Sequence, residues 1–119
     1  MIVIAAQLNF RDKAARDAAV ERTAPIQLGT RLEEAGCQAY CFAADPSVDT
    51  RIQVYELWDD GPSLAAHFKH PYYDQMKLAL RDGLVDSWNQ MYLVERHEPV
   101  YGPGNTPREE FFTSPVDAG

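Results

Sequence analysis

The spacing of hydrophobic and polar positions changes several times along the chain, and each change predicts a new element. Residues 2–10 are dense in aliphatic side chains, which predicts a first strand. From residue 12 to residue 35 the composition shifts to Ala, Arg, Glu and Leu, which favours a helix. Asp12 is placed to cap the start of this helix, and Gly36 to end it.

The hydrophobic positions of this first helix form an irregular stripe. The positions that recur at helical spacing are Ala15, Ala18, Ala19, Arg22, Ile26, Leu28 and Leu32. Pro25 lies within this stretch. A proline has no N–H to donate and crowds the preceding turn, so we expect a kink or break near Ala24.

Two strands are predicted in the centre of the chain, over residues 37–43 and 51–58, with a turn between them. Side chains alternate in the second of these strands. One face carries Ile52, Val54, Glu56 and Trp58, and the other carries Gln53, Tyr55 and Leu57. Apolar groups on both faces indicate that both are covered.

Two short helices and a fourth strand follow. Asp60 is placed to cap the first short helix, whose apolar side carries His67. His70 is placed to cap the second, which begins at Pro71 and ends at Gly83. The apolar positions of residues 88–97 then predict the fourth strand.

This element order is that of an α+β, ferredoxin-like split βαβ fold: a four-stranded antiparallel sheet with helices on one face. The other face, which carries Tyr55, needs cover, and a second copy of the chain would supply it as a twofold homodimer. We assign residues 1–98 to this domain. Residues 99–119 are a Pro- and Gly-rich tail. It is either partly disordered or an arm whose Phe111 and Phe112 dock on the partner subunit.

The length and the net charge of the chain limit the classes of function that it can have. The chain has 119 residues, which suits one domain, and a net charge of −7. That charge repels phosphate groups and argues against nucleic acid and anionic membrane as partners. No run approaches the roughly 20 apolar residues of a membrane span, and the apolar start lacks the features of a signal peptide. We therefore expect a cytoplasmic protein.

The two cysteines, Cys37 and Cys41, are four residues apart in a predicted strand. In a regular strand they would lie on one face, roughly 13 Å apart. A disulfide requires Cα atoms within about 7 Å, so we expect two buried, reduced thiols.

Four motifs in order resemble the antibiotic biosynthesis monooxygenase family. They are Glu34-Ala35-Gly36-Cys37, Tyr55-Glu56-Leu57-Trp58-Asp59, Leu64-Ala65-Ala66-His67 and His70-Pro71. The resemblance covers roughly residues 1–98. It implies a dimeric α+β barrel, with a ligand cavity in each subunit between the sheet and its helices. Some members of this family oxidise phenols or quinols with molecular oxygen and no cofactor, and others bind and degrade haem.

Within this resemblance, His67 is the candidate general base, because an unperturbed imidazole has a pKa of about 6.5. Glu56 would orient His67 or bind a substrate hydroxyl. The candidate apolar walls for a small aromatic ligand are Trp58, Tyr40, Phe68, Tyr72 and Tyr73. Each has a structural alternative: His67 could pin its helix to Glu56, and Trp58 could be a core residue. Because Tyr72 and Tyr73 are adjacent on a helix, only one of them can face inward.

The haem-degrading branch is disfavoured. Its asparagine, tryptophan and histidine positions correspond here to Gln7, His67 and Lys77, so all three residues differ. His67 and His70 lack a third ligand, and no metal site is predicted.

The sequence therefore predicts a cofactor-independent monooxygenase that acts on a phenolic or quinol-type aromatic. Two alternatives stay open. One is a non-catalytic ligand-binding or stress-related protein of the same fold. The other is a lyase, cyclase or isomerase of the wider dimeric α+β barrel group.

Overall fold

The computed structural model describes residues 1–114, and its elements follow the predicted order. The strands are β1 (Ile2–Phe10), β2 (Cys37–Ala44), β3 (Arg51–Trp58) and β4 (Leu84–Leu93), and the helices are α1 (Lys13–Glu33), α2 (Gly61–Phe68) and α3 (Pro71–Arg81). The three predicted helix caps are confirmed: Asp12 accepts from the Ala15 N–H, Asp60 from the Ser63 N–H, and His70 from the Tyr72 N–H. The α+β ferredoxin-like fold is confirmed.

The four strands form one antiparallel sheet in the order β2-β3-β1-β4. The alternation predicted for β3 is confirmed. Ile52 and Trp58 are fully buried on the face that the helices cover, whereas Tyr55 on the opposite face is 49% exposed. In the register, Glu56 lies opposite Ile4 on the neighbouring strand. The helix-covered face therefore carries the core.

The predicted limits of the fourth strand, residues 88–97, are wrong. β4 begins four residues earlier, directly after Gly83, whose positive φ of 79° makes the turn. Its limits match those of β1, because Leu84 pairs with Phe10 at one end and Leu93 pairs with Ile2 at the other. The length of β4 is thus set by its partner strand.

The prediction for α1 is wrong in two respects. The helix does not break near Ala24, because it continues through Pro25, whose exposed position lets the crowded carbonyl tilt toward water; a kink there stays a prediction. Its buried face is also more polar than predicted, because Leu28 and Leu32 are exposed. The buried residues are Ala15, Arg16, Ala19, Thr23, Gln27 and Thr30.

Polar residues of α1 reach β2 at the edge of the sheet. The Gln27 amide accepts from the Phe42 N–H at 2.9 Å and donates to the Phe42 carbonyl at 3.2 Å. Arg31 donates to the Tyr40 carbonyl at 2.6 Å. These side chains occupy backbone groups that an edge strand would otherwise leave open.

The two cysteines lie on opposite faces of β2, not on one face as predicted. A register irregularity between Cys37 and Ala39 places Cys37 opposite Trp58, whereas Cys41 lies opposite Tyr55. Both thiols are free, but the two residues are only partly buried, not buried as predicted. Burial raises the pKa of the Cys37 thiol to about 11, and the negative charges of Glu34 and Glu56 add to this effect.

Residues after β4 are held mainly by contacts with one another. Tyr101 pairs with Pro107 across a loop, and Arg108 forms a 3.0 Å ion pair with Glu98. Phe111 is 60% exposed. The assignment of residues 99–119 as a separate tail or arm stays a prediction, and residues 115–119 lie outside the described part. Within residues 1–114, no helix has the length and apolar character needed to cross a membrane.

Candidate functional site

A cavity of about 400 Å³ lies between the helix-covered face of the sheet and the helices α2 and α3. Its walls are mostly apolar, and the residues that form them are Ile4, Ala6, Leu8, Phe42, Val54, Met76, Leu80 and Met91. Polar groups enter at a few points, through Glu56, His67, Lys77, Asn89 and Gln90. An apolar pocket with few polar groups is typical of a site for a small organic ligand.

His67 of α2 reaches this cavity, and its side chain is only 2% exposed. Its ring packs 4.5 Å from the Trp58 ring, and Tyr40 and Tyr73 lie within 5.6 Å, measured between ring centroids. The Nδ1 atom lies 2.8 Å from Oε1 of Glu34. The imidazole is therefore held by aromatic packing on its faces and by a carboxylate at one nitrogen.

Glu34, the partner of His67, is absent from the predicted site. It caps the C-terminal end of α1 and its side chain is 4% exposed. One of its oxygens, Oε2, is buried and has no hydrogen-bond partner among residues 1–114. The helix dipole disfavours negative charge at a C-terminus. An acidic residue at the predicted end of α1 could therefore have marked Glu34 in the sequence as a candidate functional residue.

The binding of a substrate hydroxyl stays a prediction for Glu56, but its alternative role, orienting His67, is wrong, because the imidazole bonds to Glu34. The Oε1 atom of Glu56 instead accepts a hydrogen bond from the Trp58 indole N–H at 2.9 Å. Burial raises the pKa of the Glu56 carboxyl to about 7, the Trp58 hydrogen bond opposes this, and the charge of Glu34 adds to it. Because strand alternation puts Glu56 and Trp58 on one face, they pair with each other.

The five predicted aromatic wall residues separate into two groups. Tyr40, Phe68 and Tyr73 line the cavity. Burial raises the pKa of the Tyr40 hydroxyl far above its usual value. Trp58 is fully buried behind His67 and does not line the cavity. Tyr72 faces α1, where its hydroxyl donates to Glu33.

β4 forms a wall of the cavity that was not predicted from the sequence. Asn89 and Met91 lie opposite Ala6 and Ile4 on the helix-covered face of the sheet. All ten residues of β4 are exposed, so the cavity opens toward this strand.

A family model described as antibiotic biosynthesis monooxygenase matches residues 1–77, about two thirds of the chain. The chain belongs to this family. The matched region contains β1, α1, β2, β3, α2 and the start of α3. It includes Glu34, Glu56 and His67. The resemblance found in the sequence is thereby confirmed. A comparison with curated proteins gives no match.

Solved structures share the fold of this family member. A protein from Deinococcus radiodurans, described among the antibiotic biosynthesis monooxygenases, has a TM-score of 0.75 at 21% identity, over 86% of this chain and 100% of its own. A Caulobacter crescentus protein with the same description has a TM-score of 0.71 at 18% identity, over 79% and 90%. A variant of SnoaB, a cofactor-independent oxygenase from Streptomyces nogalater, has a TM-score of 0.62 at 14% identity, over 82% and 96%.

Two of the three positions that correspond to the haem-degrading relatives do not fit haem. Of the three corresponding positions, Gln7 lies opposite Gln53 and Trp88, on the sheet face away from the cavity. His67 contacts Glu34 through Nδ1, so its Nε2 is the one nitrogen at these positions that could reach an iron. Lys77 lies at the cavity but, as an ammonium, has no free electron pair for iron. Among residues 1–114, no three His, Cys, Asp or Glu side chains come together as possible metal ligands.

Proposed function

We propose that this protein is a cofactor-independent monooxygenase that oxidises a phenolic or quinol-type aromatic with molecular oxygen. The observation that carries the proposal is the pairing of His67 with the buried Glu34 beside an apolar cavity. The similarity in fold to SnoaB, described as a cofactor-independent oxygenase, supports the same reaction class.

The Glu34–His67 pair favours one tautomer of the imidazole. An ionised carboxylate only accepts hydrogen bonds, so Nδ1 carries the proton that faces Glu34. The other ring nitrogen, Nε2, then holds a free electron pair, and no residue within 1–114 forms a hydrogen bond to it. A base with this arrangement is ready to accept a proton from a hydroxyl in the cavity.

Deprotonation is the step that this base would perform. Nε2 of His67 takes the hydroxyl proton, and the resulting phenolate gives one electron to O₂ much more readily than the neutral phenol. The aryloxyl radical and superoxide then combine to form a C–O bond. The peroxide takes a proton, and loss of water leaves a quinone. One O₂ thus converts a phenol with a free ring C–H into a quinone and one water.

Oxygen uptake tests this proposal. The purified protein is incubated with a panel of naphthols and quinols, and uptake and products are measured. We expect turnover by the wild type and a loss of about 10²-fold or more for His67→Gln, whose amide can still donate to Glu34. His97→Ala is the control, because His97 is an exposed histidine outside the cavity.

Four results would count against the oxygenase or against His67 as its base. Absence of uptake with every substrate rejects it, and binding without turnover favours the non-catalytic ligand-binding alternative. A product formed without oxygen consumption favours lyase, cyclase or isomerase chemistry. Equal rates for His67→Gln and the wild type, with unchanged circular dichroism, would reject His67 as the base.

We also propose that the protein forms a homodimer through the sheet face away from the helices. Tyr55, Trp88 and Tyr92 lie on this face and are each about half exposed in the single chain. Exposed aromatic groups in one contiguous sheet face are typical of an interaction surface. A second copy would cover them with the same surface of its own.

Size-exclusion chromatography with light scattering tests the dimer. Tyr55→Asp places a charge on the proposed interface and is expected to give monomer or aggregate. Leu78→Asp is the matched control, because Leu78 is exposed on α3, on the helix side of the sheet. If Tyr55→Asp leaves the dimer intact, the interface lies elsewhere.

A further inference from the structure

Lys77 is the only lysine or arginine among the described residues that line the cavity. It shares one face of α3 with Tyr73, Met76 and Leu80, because these positions follow the i, i+3, i+4, i+7 spacing of a helix. Lys77 is exposed, whereas Met76 beside it is buried. The ammonium group therefore lies at the mouth of the cavity.

No carboxylate within residues 1–114 lies within 4.0 Å of the Lys77 ammonium. Its Nζ atom lies instead over the Tyr73 ring, 5.4 Å from the centroid. Acids outnumber bases in this chain by 18 to 11. A cation without an acidic partner at the mouth of a largely apolar cavity is available to an anion from outside the protein.

The charges of the cavity also favour one orientation of such a ligand. Glu56 is a buried acid in the inner part of the cavity, and the carboxylate of Glu34 lies behind His67. A ligand anion placed there would be desolvated next to groups that carry negative charge. At the mouth it would stay partly hydrated and face Lys77.

We propose that the cavity binds an aromatic ligand that carries a carboxylate, with the carboxylate at Lys77 and a hydroxyl toward His67. The inference deepens the proposed function by naming the substrate class as hydroxyaryl carboxylates, and it rests on that function for the use of the cavity. Lys77 is then the residue that selects acids over neutral aromatics of the same shape.

Binding of matched probes tests the inference without requiring turnover. The probes are 6-hydroxy-2-naphthoate, with its two polar groups at opposite ends, and its neutral methyl ester, and calorimetry measures both affinities. We expect the wild type to bind the acid about tenfold more tightly, as one partly exposed charge pair allows. Raising the salt from about 0.01 M to about 1 M should remove most of this preference, because the Debye length falls from about 30 Å to about 3 Å.

Variants assign the preference to one side chain. Lys77→Met should bind acid and ester with similar affinity, and Lys77→Glu should favour an aminomethyl naphthol over the acid. Lys69→Met is the matched control, because Lys69 is exposed next to α2 but does not line the cavity, and it should keep the wild-type preference.

The two proposals fail in different ways. Equal affinities for acid and ester in the wild type, or a preference that survives in Lys77→Met, overturn the inference even if oxygen uptake is found. A Lys77-dependent preference for the acid without oxygen uptake supports the inference and rejects the oxygenase. If neither probe binds, the inference is overturned.

Discussion

Replacing Glu56 with glutamine removes a buried acid but keeps an oxygen that can accept the Trp58 hydrogen bond. The substitution therefore isolates the cost of ionising a carboxyl group in the cavity. An acid whose pKa is higher in the folded than in the unfolded state binds more protons when folded. Its contribution to stability is then lost as the pH rises between the two values.

The structure gives the size of this effect. The pKa of Glu56 rises from 4.5 to about 7, mainly because the side chain is buried. At 1.36 kcal/mol for each pKa unit, the difference is worth about 3 kcal/mol once the pH is above 7. Between pH 5 and pH 8 the wild type should lose about 2 to 3 kcal/mol through this group. Glu56→Gln should not lose it, because the amide does not titrate.

Urea denaturation at several pH values, at one protein concentration, measures the difference. We expect the stability of Glu56→Gln relative to the wild type to increase steadily from pH 5 to pH 8. Glu21→Gln is the control, because the Glu21 side chain is exposed on α1, and its difference from wild type should stay flat. A flat difference for Glu56→Gln as well would mean that the Glu56 carboxyl is not desolvated.

Three further substitutions test how the fold positions the cavity, each measured by thermal and urea denaturation. Gly83→Ala should cost about 1 to 3 kcal/mol, because φ is +79° and the new Cβ would meet the Ala15 Cβ at 2.7 Å, whereas Gly61→Ala has open space and should be nearly neutral. Asp12→Ala should cost about 1 kcal/mol and Asp12→Asn much less, because asparagine also caps; equal losses would contradict the cap. Gln27→Ala should cost about 1 to 3 kcal/mol by leaving partly buried backbone groups of β2 unpaired, and no loss would mean that water replaces the amide.

Local sequence patterns correctly predicted the limits of an element where those limits depend only on the residues of that element. The bounds of β1 and β3 match the prediction because dense β-forming runs end at turn residues. The limits of β4 do not, because they follow the length of β1 across the sheet. For the same reason the buried face of α1 escaped prediction. Gln27 looks like a surface residue until the edge of β2 is placed beside it.

The same distinction applies to the candidate site: local sequence patterns place some of its residues, and packing between elements places the others. The face of Glu56 follows from strand alternation, and the side of α2 that carries His67 follows from helical spacing, so the sequence alone could place both at the cavity. The partner of His67 depends instead on where α1 ends relative to α2, a distance set by packing. Glu56 accepts from the Trp58 indole, and the carboxylate that holds the imidazole comes from another element, through Glu34. Glu56, whose carboxyl pKa is raised to about 7, is thus left to gain or lose a proton at the cavity while Glu34 holds the His67 imidazole.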